Sequence, residues 1–161
     1  TPFQLEYCSR AMLKGLGKYY GKYFLYRLIN DIEIKKRHFE HSNNFEQKQV
    51  LDELGSLRSL KNLWDFDDRV TAPLHGFQSA RDYYERCSSI NYLSQIRTPT
   101  LLIQSLDDPM IPGRALPARD ELNGNVLLDL SRRGGHVGFR SASDHKWLEK
   151  RITDFVLHYE R

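Results

Sequence analysis

The sequence predicts an α/β fold, present here as its last parallel strands and helices behind a helical segment. Three observations carry this. Two short runs, Thr100-Leu101-Leu102-Ile103-Gln104-Ser105 and Asn125-Val126-Leu127-Leu128-Asp129-Leu130, have the length of strands and are apolar on both faces, as interior strands of a parallel sheet are. A helical pattern follows each of them. Nothing between Phe3 and about Leu63 reads as a strand, whereas apolar residues recur there at helical spacing.

Taken in order, Leu5, Met12, Leu16, Tyr19, Tyr23, Tyr26 and Leu28 or Ile29 form a stripe through residues 4–30, which predicts two helices interrupted near Gly15 to Gly21. Ile32 to Phe39 continues helically, and Ser42-Asn43-Asn44 is a loop. Short helices are expected at 46–53 and 56–63, the second with Ser56 as N-cap. Thr98-Pro99 introduces the first strand. A loop rich in Asp and Pro then leads to a helix expected at 115–122, which Asn123-Gly124 ends. After the second strand, residues 131–138 lead to a last helix capped by Ser143 or Asp144, with Trp147, Leu148, Ile152, Phe155 and Val156 as its apolar face. Strand, helix, strand, helix is a right-handed parallel crossover unit. Two strands alone make a marginal sheet. The chain therefore reads as part of a larger domain, or as one that self-associates through the open side of its sheet.

Composition bounds the function classes. With 40% hydrophobic and 28% charged residues, the chain is a folded domain and not a disordered one. It contains no run of about 18 apolar residues, so no helix is expected to span a membrane. The start, Thr1-Pro2-Phe3-Gln4-Leu5-Glu6, has neither the basic nor the apolar region of a secretory leader and lacks an initiator Met, as if the sequence began inside something longer. Cys8 and Cys87 have no metal-ligand spacing and read as reduced packing thiols, from which a cytoplasmic location is expected. The net charge of +3 is too small to argue for a nucleic-acid partner. Its excess lies in residues 1–50, with nine Lys and Arg against five Asp and Glu, and reads as solvated helix faces. The Tyr19-Tyr20-x-x-Tyr23-Phe24-x-Tyr26 stripe beside Lys14, Lys18 and Lys22 has two readings: a face packed on a core, which is favoured, or contact with a membrane surface. No metal or cofactor is expected. His38-x-x-His41 lacks a third ligand, and Asp65-x-Asp67-Asp68 lacks the glycine and glutamate of a calcium loop and reads as turn and cap chemistry.

The chemistry sits after the two strands. The first runs into Ser105-Leu106-Asp107-Asp108-Pro109-Met110-Ile111-Pro112, the second into Gly134-Gly135-His136-Val137-Gly138-Phe139. An acid on a loop directly off a strand is held rigidly and can still reach an imidazole. Glycines beside a histidine give its backbone the freedom to turn the ring across the sheet. Acid then histidine, on successive strand ends, are the last two members of a triad that runs nucleophile, acid, histidine in chain order.

Together with Phe66-Asp67-Asp68-Arg69-Val70-Thr71-Ala72-Pro73-Leu74-His75-Gly76-Phe77, Tyr83-Tyr84 and Cys87-Ser88-Ser89, these blocks resemble the YheT-like branch of α/β-hydrolases, esterases grouped with α/β-hydrolase-domain lipases and medium-chain acyl-ester enzymes. The resemblance covers nearly the whole chain. It implies the C-terminal portion of an α/β-hydrolase fold, with residues 1–63 as a helical cap or lid over the active site and 64–161 as the C-terminal part of the core. It makes Asp108 the triad acid, His136 the general base and Asp107 a turn or cap residue. The implied activity of the intact parent is serine hydrolysis of a small ester carrying an acyl chain; acyl transfer to an alcohol would use the same residues. The chain departs from the family in one respect. No serine has glycines at both −2 and +2, so the Gly-x-Ser-x-Gly elbow is absent, and with it the oxyanion hole that the elbow helps to build. Alone, the chain is expected to be inactive: either it is completed by the missing N-terminal half of the hydrolase domain, or it is a non-catalytic truncated or binding chain.

Overall fold

The computed structural model describes residues 2–139 and 146–159. In chain order the helices are α1 (Leu5–Ala11), α2 (Gly17–His41), α3 (Phe45–Asp52), α4 (Leu63–Phe66), α5 (Ala72–Leu74) and α6 (Ala80–Cys87), with a π-helical turn, Asp67–Thr71, between α4 and α5. A 3-10 segment, Ser89–Gln95, precedes the strands β1 (Thr100–Ser105) and β2 (Val126–Ser131), and α7 (Trp147–Tyr159) follows them. The chain forms two compact units: Met12–Arg86 is one, and the residues up to Ala11 join those from Cys87 onward in the other.

In the unit Met12–Arg86, α2 is a single helix of 25 residues that runs unbroken through Gly21. The interruption falls before it, where Gly15 adopts a left-handed φ of 50°. Leu25 and Ile32 lie on the buried face of α2 and pack with Leu51, Leu54, Leu57, Phe66 and Val70. The stripe drawn through Tyr19, Tyr23 and Tyr26 is therefore not the packed one: these side chains are 74%, 56% and 69% exposed. Leu25 and Ile32, one heptad apart, point away from them and bring no hydroxyl that would need a buried partner. The helix expected at 56–63 does not form. Leu54 and Leu57 are both buried, and the chain makes a single turn closed by the Leu60 amide on the Leu57 carbonyl at 3.2 Å. The helix starts instead after Asn62, whose side-chain oxygen accepts the Asp65 N–H at 2.9 Å. Asp67 accepts the Tyr84 hydroxyl at 2.5 Å and the Thr71 hydroxyl at 2.7 Å, and Asp68 accepts the Ala80 N–H at 2.8 Å, at the start of α6. Burial pushes the Asp67 carboxyl up, and the two hydroxyls offset part of that rise. Among the described residues no three His, Cys, Asp or Glu side chains gather as metal ligands.

In the other unit β1 and β2 pair in parallel, from Thr100 beside Val126 to Ser105 beside Ser131. The Thr100 N–H to the Asn125 carbonyl at 2.8 Å opens the ladder, and the Leu106 N–H to the Ser131 carbonyl at 2.9 Å closes it. No α-helix crosses between the strands at 115–122. Pro117 lacks an amide hydrogen and disfavours helical backbone at Leu116, which is extended with ψ 148°; two 3-10 turns, Gly113–Ala115 and Arg119–Glu121, flank it. The Asn123 side-chain amide donates to the carbonyls of Leu93, Ser94 and Ile96, which ties the start of β2 to the segment before β1. Arg151 on α7 meets Asp129 on β2 at 2.6 Å, and Trp147 stacks on Phe139 with centroids 5.9 Å apart. The cap expected at Ser143 or Asp144 lies outside the described residues. On α1, Cys8 packs with Ile111 and Ala115. Burial, then the nearby Asp108 charge, pushes its thiol up to about 11. Cys8 and Cys87 are both free thiols. Leu127 and Leu130 on β2 remain 47% and 44% exposed, so the strand's apolar faces are only partly covered. No helix among the described residues is long and apolar enough to cross a membrane.

Candidate active site

The C-terminal ends of the two parallel strands bring Asp108 and His136 together. Asp108 follows β1 by three residues, and its side chain is wholly buried. The next residue, Pro109, has no amide hydrogen, so the carboxylate turns onto the two amides after it: Oδ1 accepts Met110 N–H at 2.8 Å and Ile111 N–H at 3.1 Å. Met110 and Ile111 are themselves buried, which anchors the turn. The other oxygen, Oδ2, accepts the Gln104 side-chain amide at 2.8 Å and lies 2.9 Å from His136 Nδ1. Burial works against charge here, but the Met110 amide, His136, Gln104 and the Ile111 amide together outweigh it and hold the Asp108 carboxyl below the usual carboxylate range. An ionised Asp108 can only accept. Nδ1 of His136 must then carry the proton of this hydrogen bond, and in the neutral ring the lone pair is on Nε2. The His136 side chain is 43% exposed, so that lone pair belongs to an accessible group backed by a buried carboxylate.

The histidine loop depends on its two glycines for different reasons. Gly135 is left-handed, with φ 57°. At Gly134 a Cβ would stand 2.7 Å from the Phe139 ring and 3.1 Å from Ser105 Cβ, so the loop closes there only without a side chain. Asp107 Oδ1 accepts the N–H groups of both Gly134 and Gly135 at 2.9 Å, and the Ser105 hydroxyl donates to the Gly135 carbonyl. The Gly135 amide is the main cause that holds the Asp107 carboxyl below its ordinary range. Ser105 is fully buried, with its hydroxyl bonded to that carbonyl and beside the Asp107 carboxylate, so its place at the strand end does not expose it as a nucleophile. An open cavity of about 530 Å³ lies beside His136, lined by Leu101, Ile103, Val137, Phe139 and Phe155 among others.

Two side chains at the site, Gln104 and Ser105, carry weaker signals in the sequence. Gln104 was one apolar-run residue among six, although a polar side chain four positions before an acid, in a strand with both faces apolar, was a usable signal. The role of Ser105 rests on a contact with Gly135, 30 residues along the chain, and no local pattern announces it.

The YheT protein of Escherichia coli (strain K12) is 35% identical over 162 aligned residues, which cover 99% of this chain and 46% of that protein. The chain belongs to the YheT-like α/β-hydrolase family. An abhydrolase domain-containing protein of Dictyostelium discoideum is 33% identical over 97% of the chain and 38% of its own length. The medium-chain fatty acid ethyl ester synthase/esterase 2 of Saccharomyces cerevisiae (strain ATCC 204508 / S288c) is 35% identical over 64% of the chain and 23% of its own length. The chain thus spans less than half the length of each of these relatives. No protein-family model matches it, and no solved structure does so significantly.

Proposed function

We propose that this chain is the C-terminal part of a serine carboxylic-ester hydrolase, supplying the triad acid Asp108 and the general base His136 to a serine carried elsewhere in the protein. One observation carries the reading: a buried, fully hydrogen-bonded carboxylate 2.9 Å from Nδ1 of an accessible imidazole, on the ends of adjacent parallel strands. Family membership, and the ester and lipase activities in relatives' names, supply the substrate class: an ester with an acyl chain. In the reaction His136 Nε2 takes the serine proton as its oxygen attacks the ester carbonyl. Asp108 keeps the ring in the Nδ1–H tautomer and stabilises the imidazolium, which then returns the proton to the leaving alcohol. Water, activated the same way, releases the acid. In this reading residues 1–63 act as the cap and 64–161 as the C-terminal part of the core, and the partly exposed apolar face of β2 fits a sheet continued by the rest of the domain or by a second copy. The two free thiols fit a reducing compartment. Acyl transfer to an alcohol is the second reading, favoured by the yeast relative whose name carries both ester synthase and esterase.

The test compares the isolated 161-residue chain with a full-length version on a short-chain chromogenic ester. The isolated chain is expected to show no turnover above background and the full-length protein to hydrolyse the ester. Hydrolysis by the isolated chain that disappears in His136→Ala would mean that a nucleophile lies within these residues.

A further inference from the structure

We propose that Asp107 is a positioning residue for the reaction, fastening the loop that carries His136 to the strand end that carries Asp108; this rests on the assignment of His136 as general base. An aspartate that only shaped its own turn would bond to amides two or three residues on. Asp107 Oδ1 instead accepts the N–H groups of Gly134 and Gly135, 27 and 28 residues away, at 2.9 Å each. The Ser105 hydroxyl, from the end of the same strand, donates to the Gly135 carbonyl.

These bonds act on particular peptide groups. The Gly135 N–H belongs to the peptide group joining 134 to 135, and the Gly135 carbonyl to the one joining 135 to 136. Both peptide planes leading into His136 are therefore tied to the residues flanking Leu106. What remains free is the histidine's own φ and its side-chain torsions, and the bond to Asp108 sets the ring. Without the fastening, Gly134 and Gly135 would have more backbone freedom than any other residue pair. The same stretch of chain thus supplies both the carboxylate that orients the ring and the carboxylate that sets the backbone beneath it. Asp107 is solvent-exposed, so it does this through hydrogen bonds and not by filling the core. Positioning is separable from folding for that reason.

A reacting group displaced by about 1 Å can lose on the order of 10²-fold in rate. In the full-length protein, Asp107→Ala is expected to lower kcat by about that factor with KM changed less than about twofold. Asp107→Asn, which keeps a neutral acceptor for both amides, should recover most of the lost rate. The hydrogen-bonded Nδ1 proton of His136, observed downfield by NMR, should broaden or vanish in Asp107→Ala and return in Asp107→Asn. Unchanged kcat in Asp107→Ala, while His136→Ala abolishes activity, would overturn the proposal and leave the triad reading intact. So would Asp107→Asn as impaired as Asp107→Ala, since charge and not fastening would then be responsible. A protein that fails to fold without the Asp107 carboxylate would also contradict it, because the side chain would be holding the domain and not the histidine. Full activity in His136→Ala would instead remove the assignment on which the proposal rests.

Discussion

Asp108→Asn in the full-length protein is expected to lower kcat on the order of 10⁴-fold, the size of the loss when a serine-protease triad aspartate becomes asparagine. The reason lies in how the carboxylate is held. Oδ1 accepts the Met110 and Ile111 amides, so the asparagine oxygen must occupy that position to satisfy two buried N–H groups. Its amide nitrogen then faces His136 and donates to Nδ1. That bond favours the tautomer with the proton on Nε2, which has no lone pair to offer the nucleophile. The ring stays in place and the base is lost. Asp107→Asn meets no such conflict, because its oxygen can go on accepting from Gly134 and Gly135. Steady-state kinetics on the two variants decide the assignment. Equal impairment, or a larger loss in Asp107→Asn, would mean that the acid has been misassigned.

His136→Ala is expected to cost more still, about 10⁶-fold in kcat, as removal of the general base does when the other triad members can no longer work without it. The variant should remain folded. His136 is 43% exposed, and Asp108 keeps three other donors in Gln104, Met110 and Ile111, so its buried charge is not left without partners. A normal thermal transition together with the lost turnover is the expected pair of results. Turnover within tenfold of the unaltered protein would show that another group takes the serine proton.

Much of the scaffold could be read from residue pattern. The two runs at 100–105 and 125–130 pair in parallel, shifted by a single residue in the second, because apolar residues on both faces leave a strand few other places to lie. The errors have local physical causes. Periodicity at 115–122 looked helical, but Pro117 stands inside it, and the chain takes two 3-10 turns instead. Ser56 looked like a cap, yet after the left-handed Gly55 the chain makes only a single turn, and the helix starts after Asn62. In α2 the tyrosines keep helical spacing, but so do Leu25 and Ile32 on another face, and spacing alone cannot say which of two stripes turns inward. At the site, chain order and strand ends pointed to an acid after β1 facing His136, the resemblance alone chose Asp108 over Asp107, and the structure brings Asp108 and His136 to 2.9 Å. Gln104, Ser105 and the reach of Asp107 were not legible, since each acts on a residue or loop that only the folded backbone brings near.

On the proposed function, Asp108 and His136 serve a nucleophile that lies outside these residues. Labelling the full-length protein with a fluorophosphonate probe, followed by peptide mapping of the modified serine, tests it most directly. One labelled serine is expected, outside these 161 residues, with labelling strongly reduced in His136→Ala. A label on Ser105 or any other serine within these residues, or labelling indifferent to His136, would contradict it.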